Sequence, residues 1–450
     1  MEEFFDTLSG YLWGWPMIVL LIGTHIYLTI RLRFPQRHLL KAIRLSVKPD
    51  CGSKGDVSQF GALATALAAT IGTGNIIGVA TAVALGGPGA VLWCWLTGVF
   101  GMATKYSEGL LAIKYRKLQP DGTMLGGPMY ALERGLKMKW LGVVFAIFAI
   151  CASLGIGASV QANAITTFCY DSFGVNPMWM ALVITVLVAL VVIGGVKSIA
   201  KVCGALVPFM ALFYVLGCIY IMVLNGAYVW PALKLICVSA FDPSAVGGGF
   251  VGGGVIMACR YGIARGLFSN ESGLGSAPIV AAAAQTRNPV RQALVSSTGT
   301  FWDTVVICAM TGIVVVSSVL AHPDIDFSDG ATLTKSAFGL IPVVGTPLLL
   351  VGLVTFAFST ILGWCYYGEM AMEYMRGSRW QHAYRLIYIV VVFVGGVVNL
   401  AVVWNFADCM NALMAIPNLL SLLLLSGVLV KETRHYLWEH RLDEQMDEES

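Results

Sequence analysis

Ile71-Gly72-Thr73-Gly74-Asn75 and Phe268-Ser269-Asn270-Glu271-Ser272-Gly273 each interrupt a long apolar run with glycine and polar side chains. A helix broken by such residues in mid-membrane loses backbone hydrogen bonds that lipid cannot replace. The break is tolerated only where it lines protein or a water-filled cavity. Two such breaks at matching places in two halves of a chain point to the binding site of a secondary transporter.

The surroundings of the two strings are those of a membrane protein. Of the 450 residues, 57% are hydrophobic and 12% charged, and the mean hydropathy is +0.78. Soluble domains run at roughly 45–50% apolar and 25% charged. Apolar stretches able to cross a hydrocarbon core of about 30 Å recur along nearly the whole length, and they leave no room for a soluble catalytic domain. We read eleven spans, starting near Tyr11, Gly61, Gly89, Leu141, Met178, Cys203, Gly247, Leu294, Val344, Ala383 and Asp408.

The formal net charge is only +3, but its distribution is uneven. Arg31, Arg33, Arg37, Lys41, Arg44, Lys48 and Lys54 follow the first span, and basic loops then recur around Lys114 to Lys139, Lys197 and Lys201, Arg287 and Arg291, and Arg376 to Arg385. The intervening loops hold mainly Asp171, Asp242, Asp324, Asp326 and Asp329, with Lys234 and Lys335. Basic loops face the cytoplasm, which puts the N-terminus outside and the C-terminus inside a cytoplasmic membrane, as an odd number of spans requires. The leader carries Glu2, Glu3 and Asp6 and no small-residue cleavage site, so the first span does not read as a signal peptide. The eleven cysteines stand singly, mostly within spans; neither a disulfide nor a metal-thiolate site is expected.

Setting the first span aside makes the two broken spans the first and sixth of the remaining ten. Five is odd, so the second set enters from the opposite side and the halves form an inverted repeat. The expected organisation is an external N-terminus, extra leading helix and basic loop (1–60), a first five-helix repeat (61–225), an external loop (226–244), a second repeat (245–431) and a solvated cytoplasmic tail (432–450). The glycine cluster at 247–254 has no preceding strand and no Gly-Lys-Ser/Thr, so it reads as an entry to the seventh span and not as a nucleotide loop.

The chemistry follows from the breaks. Past Gly72 a second half-helix starts, and the N–H groups of Thr73 and Gly74, with the positive end of the dipole, suit a carboxylate. Asn75 offers a carbonyl oxygen to a cation. At Phe268 to Ser272 the C-terminal end of a half-helix exposes carbonyls that suit an ammonium group. The pair describes a site for a zwitterion.

Glu271 needs a partner if it is ionised inside the membrane, and Arg265 is the expected one, with Arg260 behind it. Direct ligation and proton carriage by Glu271 are the other readings. Gln161 either reaches a substrate carboxylate or bonds a neighbouring helix. Ser359 and Thr360 either back-bond to their own helix or offer hydroxyls to Na⁺. Phe268 and Trp364 would wall a small pocket. Asp303 beside Trp302, and Glu108 beside Lys105, read as buried or membrane-edge pairs. The sequon Asn270-Glu271-Ser272 lies at a depth where no glycan attaches.

Three strings carry a resemblance to a known family: Gly72-Thr73-Gly74-Asn75-Ile76-Ile77-Gly78; Gly86-Gly87-Pro88-Gly89-Ala90 with Gly101-Met102-Ala103-Thr104-Lys105-Tyr106-Ser107-Glu108; and Arg260-Tyr261-Gly262 through Arg265-Gly266-Leu267-Phe268-Ser269-Asn270-Glu271 to Gly275-Ser276-Ala277-Pro278. Together they resemble the alanine or glycine:cation symporter family over essentially Gly10 to Lys431. The resemblance implies an all-α membrane protein with a LeuT-type 5+5 inverted repeat behind one extra helix, two discontinuous helices, and sodium-coupled uptake of alanine or glycine. It implies an amino-acid site at Thr73, Gly74, Asn75, Gln161, Phe268 and Trp364, to which the neighbouring Thr70, Gly72, Ser269, Asn270 and Gly273 are added here. It implies Na⁺ at the carbonyls of Ala68, Ile71 and Phe356 and the hydroxyls of Ser359 and Thr360.

The rival readings are proton coupling through Glu271, Glu108 or Asp303, and a membrane-embedded enzyme using Glu271 or Asp303. The enzyme would need a constellation such as His-Glu-x-x-His or Gly-x-Ser-x-Gly, and the chain has neither beside these acids. No organic cofactor, nucleic acid or protein partner is expected.

Overall fold

The computed structural model describes residues 2–48, 50, 53–120, 122–242, 254–325, 330–341, 345–398 and 401–446. Nearly all of them are helical. Helix α1 (Trp15–Arg31) is the extra leading helix and α2 (Leu39–Val47) lies in the basic loop after it. The first broken span is α3 (Gln59–Thr70) and α4 (Gly74–Gly86), bent by 56°. There follow α5 (Ala90–Lys114), α6 (Lys139–Phe173), α7 (Pro177–Val192), α8 (Gly195–Leu224) and α9 (Gly226–Ser239). The second broken span is α10 (Val255–Asn270) and α11 (Ala277–Ala281). The chain closes with α12 (Pro289–Ala321), α13 (Gly330–Gly339), α14 (Gly345–Arg376), α15 (Gln381–Val397), α16 (Ala401–Leu424) and α17 (Ser426–Thr433).

Local chemistry sets several of these boundaries. Ser58 Oγ accepts from Gly61 N at 3.0 Å and caps α3, Asn176 and Pro177 open α7, and Asn288 caps α12 by accepting from Arg291 N at 3.1 Å. Among the described residues seven helices are long and apolar enough to cross a membrane, eight with the bent pair. The count of eleven also needs α5, which carries Lys105 and Glu108, the shorter α7, and the α10–α11 pair. Burial inside the bundle lets α5 carry its polar residues, whereas α7 is short but keeps a broad exposed apolar face. The proposed start of the seventh span at Gly247 lies outside the described residues.

Helix α5 is the hub: α10, α12 and α1 all pack along it. Leu21 and Leu28 of α1 are fully buried there, and His25 Nδ1 meets Thr104 Oγ1 at 2.7 Å. Helix α14 crosses α3, α6 and α8 and is joined to α15 by Arg385 and Glu369 at 2.5 Å. On the side of the basic loops the bundle is laced shut. Asp56 N donates to Ala283 O and Gln285 N to Val57 O, both at 2.8 Å, while Arg116 Nη1 reaches Ala284 O at 3.0 Å.

Two expectations change. Residues 226–244 do not form a bare loop, because α9 occupies most of them; its buried Ala232 and Ile236 pack against α12. The tail is not free in solvent either. Asn288 Nδ2 donates to Leu442 O and Glu444 O, both at 2.9 Å, and Arg291 meets Asp443 at 2.8 Å. The buried cation Arg291 supplies the reason, since its other acid, Asp50, is 3.4 Å away and shared with Arg287.

Candidate binding site at the two breaks

The first break is made by a diverted hydrogen bond. Gly72 N, which would continue α3 by donating to Ala68 O, donates instead to Asn75 Oδ1 at 2.9 Å, and Asn75 N donates to Gly72 O at 3.2 Å. The carbonyls of Ala68 and Ile71 thereby lose their helical donors. Helix α14 presents hydroxyls to both: Ser359 Oγ lies 3.1 Å from Ala68 O, and Thr360 Oγ1 3.3 Å from Ile71 O. The two hydroxyls also reach Phe356 O, at 2.9 and 3.0 Å. Five uncharged oxygens are thus joined in one cluster, a donor set suited to a hard monovalent cation. Gly72 sits against them; a Cβ there would lie 2.7 Å from Thr360 Oγ1. All five cation-site residues expected from the sequence are brought together.

The second break repeats the device. Ser272 N donates to Asn270 Oδ1 at 2.9 Å, and Gly273 N to Glu108 Oε1 at 3.0 Å, so the carbonyls of Phe268 and Ser269 lose their helical donors. Glu271 takes a left-handed conformation with φ +53°, and Gly273 and Gly275 have φ +90° and +87°, which glycine accommodates without a side-chain clash. Glu108 Oε1 collects Gly275 N at 3.2 Å and Asn418 Nδ2 at 2.7 Å as well, tying the unwound segment to α5 and α16.

Asp303 joins the two breaks. Its carboxylate accepts from Asn75 Nδ2 at 2.7 Å on the first and from Ser269 Oγ at 3.0 Å on the second, with Thr304 Oγ1 at 2.6 Å. The side chain is fully buried. The sequence reads Asp303 beside Trp302 as a buried or membrane-edge pair, or as a proton-coupling acid; the signal that marks it for the bridge is an acid inside an apolar span. Asn75 is accordingly engaged at both ends of its amide.

A cavity of about 530 Å³ opens away from the basic loops, between the ends of α6 and α13, and descends to Thr73, Gly74 and Phe268. Thr73 N and Gly74 N begin α4 at its floor. Phe268 rests on Gly74, where a Cβ would come 3.1 Å from its Cδ1. Arg265, Asp171 and Lys335 line the walls above. Beside the floor, Gln161 Nε2 donates to Ile156 O at 3.2 Å while its Oε1 is buried without a partner among the described residues, 3.5 Å from the position of a Cβ on Gly72. The free atom is an acceptor, so it suits an ammonium group better than a substrate carboxylate. Trp364 packs on Gly157 and donates from Nε1 to Glu271 Oε1 at 3.1 Å.

Five expectations fail on this geometry. Glu271 does not pair with Arg265: its oxygens take Trp364 and the Ser276 hydroxyl, and Arg265 turns outward to the cavity. Thr70 back-bonds to Ala66 O at 3.2 Å and faces a separate cavity of about 20 Å³, room for about one water. Asn270 faces the same cavity and donates to Thr97 Oγ1 at 3.2 Å. Gly273 abuts Leu21 and Leu419, on the side of the leading helix. Glu108 and Lys105 form no ion pair either; Lys105 Nζ is buried without a hydrogen-bond partner among the described residues.

Comparison with known proteins agrees with this architecture. The model of the sodium:alanine symporter family matches residues 1–450. An uncharacterized transporter of Haemophilus influenzae is 52% identical over 441 residues, 97% of this chain and 96% of its own. The sodium/alanine symporter AgcS of Methanococcus maripaludis is 50% identical over 439 residues, 96% of each chain. Among solved structures, MhsT in complex with L-phenylalanine superposes with a TM-score of 0.57 at 16% identity, covering 86% of this chain and 91% of the other, which places the fold in the LeuT class. The protein is a multi-pass membrane transporter and not an enzyme, and it belongs to the sodium:alanine symporter family.

Proposed function

We propose that the chain imports a small neutral amino acid, alanine or glycine, together with Na⁺ by alternating access. The observation that carries the reading is the five-oxygen cluster of Ala68, Ile71, Phe356, Ser359 and Thr360 at the first break, two residues from the first of the N–H groups that would receive the substrate. In this reading the carboxylate sits on Thr73 N and Gly74 N, at the positive end of α4. The ammonium sits among Phe268 O, Ser269 O and Gln161 Oε1. Phe268 and Trp364 bound the side-chain space.

Sodium stiffens the end of α3 against α14, and the same backbone presents Gly72 to Asn75 and so sets the direction of the carboxylate donors. The N-terminus lies outside and the C-terminus in the cytoplasm, so the cavity faces outward. A membrane potential drives import at about 2.3 kcal/mol per charge per 100 mV. The name of the 50%-identical AgcS, a sodium/alanine symporter, supports the choice of ion and substrate.

Proton coupling is the weaker reading, because Asp303 and Glu108 each hold three donors in place between elements and Glu271 is tied to Trp364 Nε1 and the Ser276 hydroxyl, which makes all three structural ties. The test is uptake of labelled alanine into proteoliposomes. An inward Na⁺ gradient is expected to drive accumulation; equal uptake without it, or uptake driven by a pH gradient alone, would overturn the assignment.

A further inference from the structure

Outside the cavity above the breaks, α2, α3, α8 and α12 enclose a crevice of about 390 Å³ lined mainly by apolar side chains, among them Ile43, Val47, Leu63, Leu67, Ala211 and Trp302, with Ile71 of the first break at its inner side. It opens on the perimeter of the bundle, where Val47 is 67% and Trp302 37% exposed. Helix α2 sits at its mouth. Its inner face, with Ala42 and Leu45 buried, rests against α12, while Lys41, Arg44 and Lys48 are exposed and have no acidic partner among the described residues.

We propose that this crevice is a binding site for an anionic phospholipid, with one acyl chain between α2, α3 and α8 and the phosphate among Lys41, Arg44 and Lys48. The perimeter of a membrane protein is solvated by acyl chains, so an apolar crevice at that depth is filled by a chain. The three cations decide which lipid supplies it, since clustered Lys and Arg beside a membrane-embedded helix attract anionic headgroups. A zwitterionic headgroup leaves them uncompensated. The chain would lie along Leu63 and Leu67, on the half-helix whose far end carries the Ala68 and Ile71 carbonyls. Lipid composition would then bias how firmly α3 holds its place.

Trp302 provides a direct readout that does not depend on transport. The full-length protein is reconstituted in phosphatidylcholine nanodiscs doped with phosphatidylglycerol brominated on its acyl chains, or with phosphatidylcholine brominated likewise. The Trp302 contribution is the difference in tryptophan fluorescence between the wild type and Trp302→Phe. Brominated phosphatidylglycerol is expected to quench Trp302 at a several-fold lower mole fraction than brominated phosphatidylcholine, and Lys41→Gln/Arg44→Gln/Lys48→Gln is expected to abolish that preference. Ala211→Phe, which fills the crevice, should protect Trp302 from both lipids; if it fails to fold, the charge variant, altered only at exposed side chains, still decides. Equal quenching by the two lipids in the wild type, or an undiminished preference in the charge variant, would overturn the proposal.

Discussion

At the scale of single residues, each break exists because one side-chain amide diverts a backbone N–H: Asn75 takes Gly72 N and Asn270 takes Ser272 N. The carbonyls released in this way, Ala68 O on one side and Phe268 O on the other, are the atoms offered to ligands. Asp303 then couples the two sides. Asp303→Asn keeps the shape but turns one acceptor into a donor that faces Asn75 Nδ2 or the Ser269 and Thr304 hydroxyls. Disrupting such a buried bond costs about 1–3 kcal/mol, so alanine binding should weaken roughly 5- to 150-fold. Equilibrium binding of labelled alanine measures this, and an unchanged Kd would mean that the bridge carries nothing. Gly72→Ala should act on the ion first, because its Cβ would push on Thr360 Oγ1; the Na⁺ concentration for half-maximal uptake should rise about tenfold, the equivalent of about 1.4 kcal/mol.

At the scale of elements, the broken helices hold their form through contacts with intact ones. Glu108 on α5 gathers Gly273 N, Gly275 N and Asn418 on α16. Glu108→Ala leaves two backbone donors unpaired in a buried segment, whereas Glu108→Gln keeps an oxygen for them. The alanine variant should therefore lose uptake, and the glutamine variant should retain a larger part of it in the same assay. The docked tail is a second brace. Removing residues 440–450 strips Arg291 and Asn288 of partners at Leu442, Asp443 and Glu444, so the melting temperature of the purified protein should fall, by the equivalent of about 1–3 kcal/mol. An unchanged melting temperature would show that the tail is only resting there.

The breaks and the five cation oxygens were legible in the sequence because glycine and asparagine in an apolar run, and Ser359-Thr360 in another, announce themselves locally. The Asp303 bridge, the Glu108 clamp and the tail contact join residues far apart in the chain, so only packing reveals them. Arg265 misled for the opposite reason. It is close to Glu271 along the chain, but it leaves α10 on the face toward the outer cavity, and Trp364 and Ser276 already satisfy the glutamate.

At the scale of the whole molecule, the bundle is laced at its basic-loop end through Asp56, Val57, Gln285 and Arg116 and open at the other. With the orientation proposed from the charges, this is an outward-facing arrangement. A cysteine placed at Asp171 in a cysteine-free background should react with an impermeant maleimide on intact cells, and one at Lys197 only after permeabilisation; the reverse pattern would invert the topology. The fold-level claim is that one ion organises the backbone that receives the substrate. Linkage makes that claim measurable, because an ion that favours the amino acid must be favoured by it in equal measure. The most direct measurement is the Kd of alanine for the purified transporter as Na⁺ is raised from none to saturation, in the wild type and in Thr360→Val. Affinity is expected to climb with Na⁺ in the wild type, and Thr360→Val to need far more Na⁺ for the same gain; an alanine Kd indifferent to Na⁺ in the wild type would contradict the coupling.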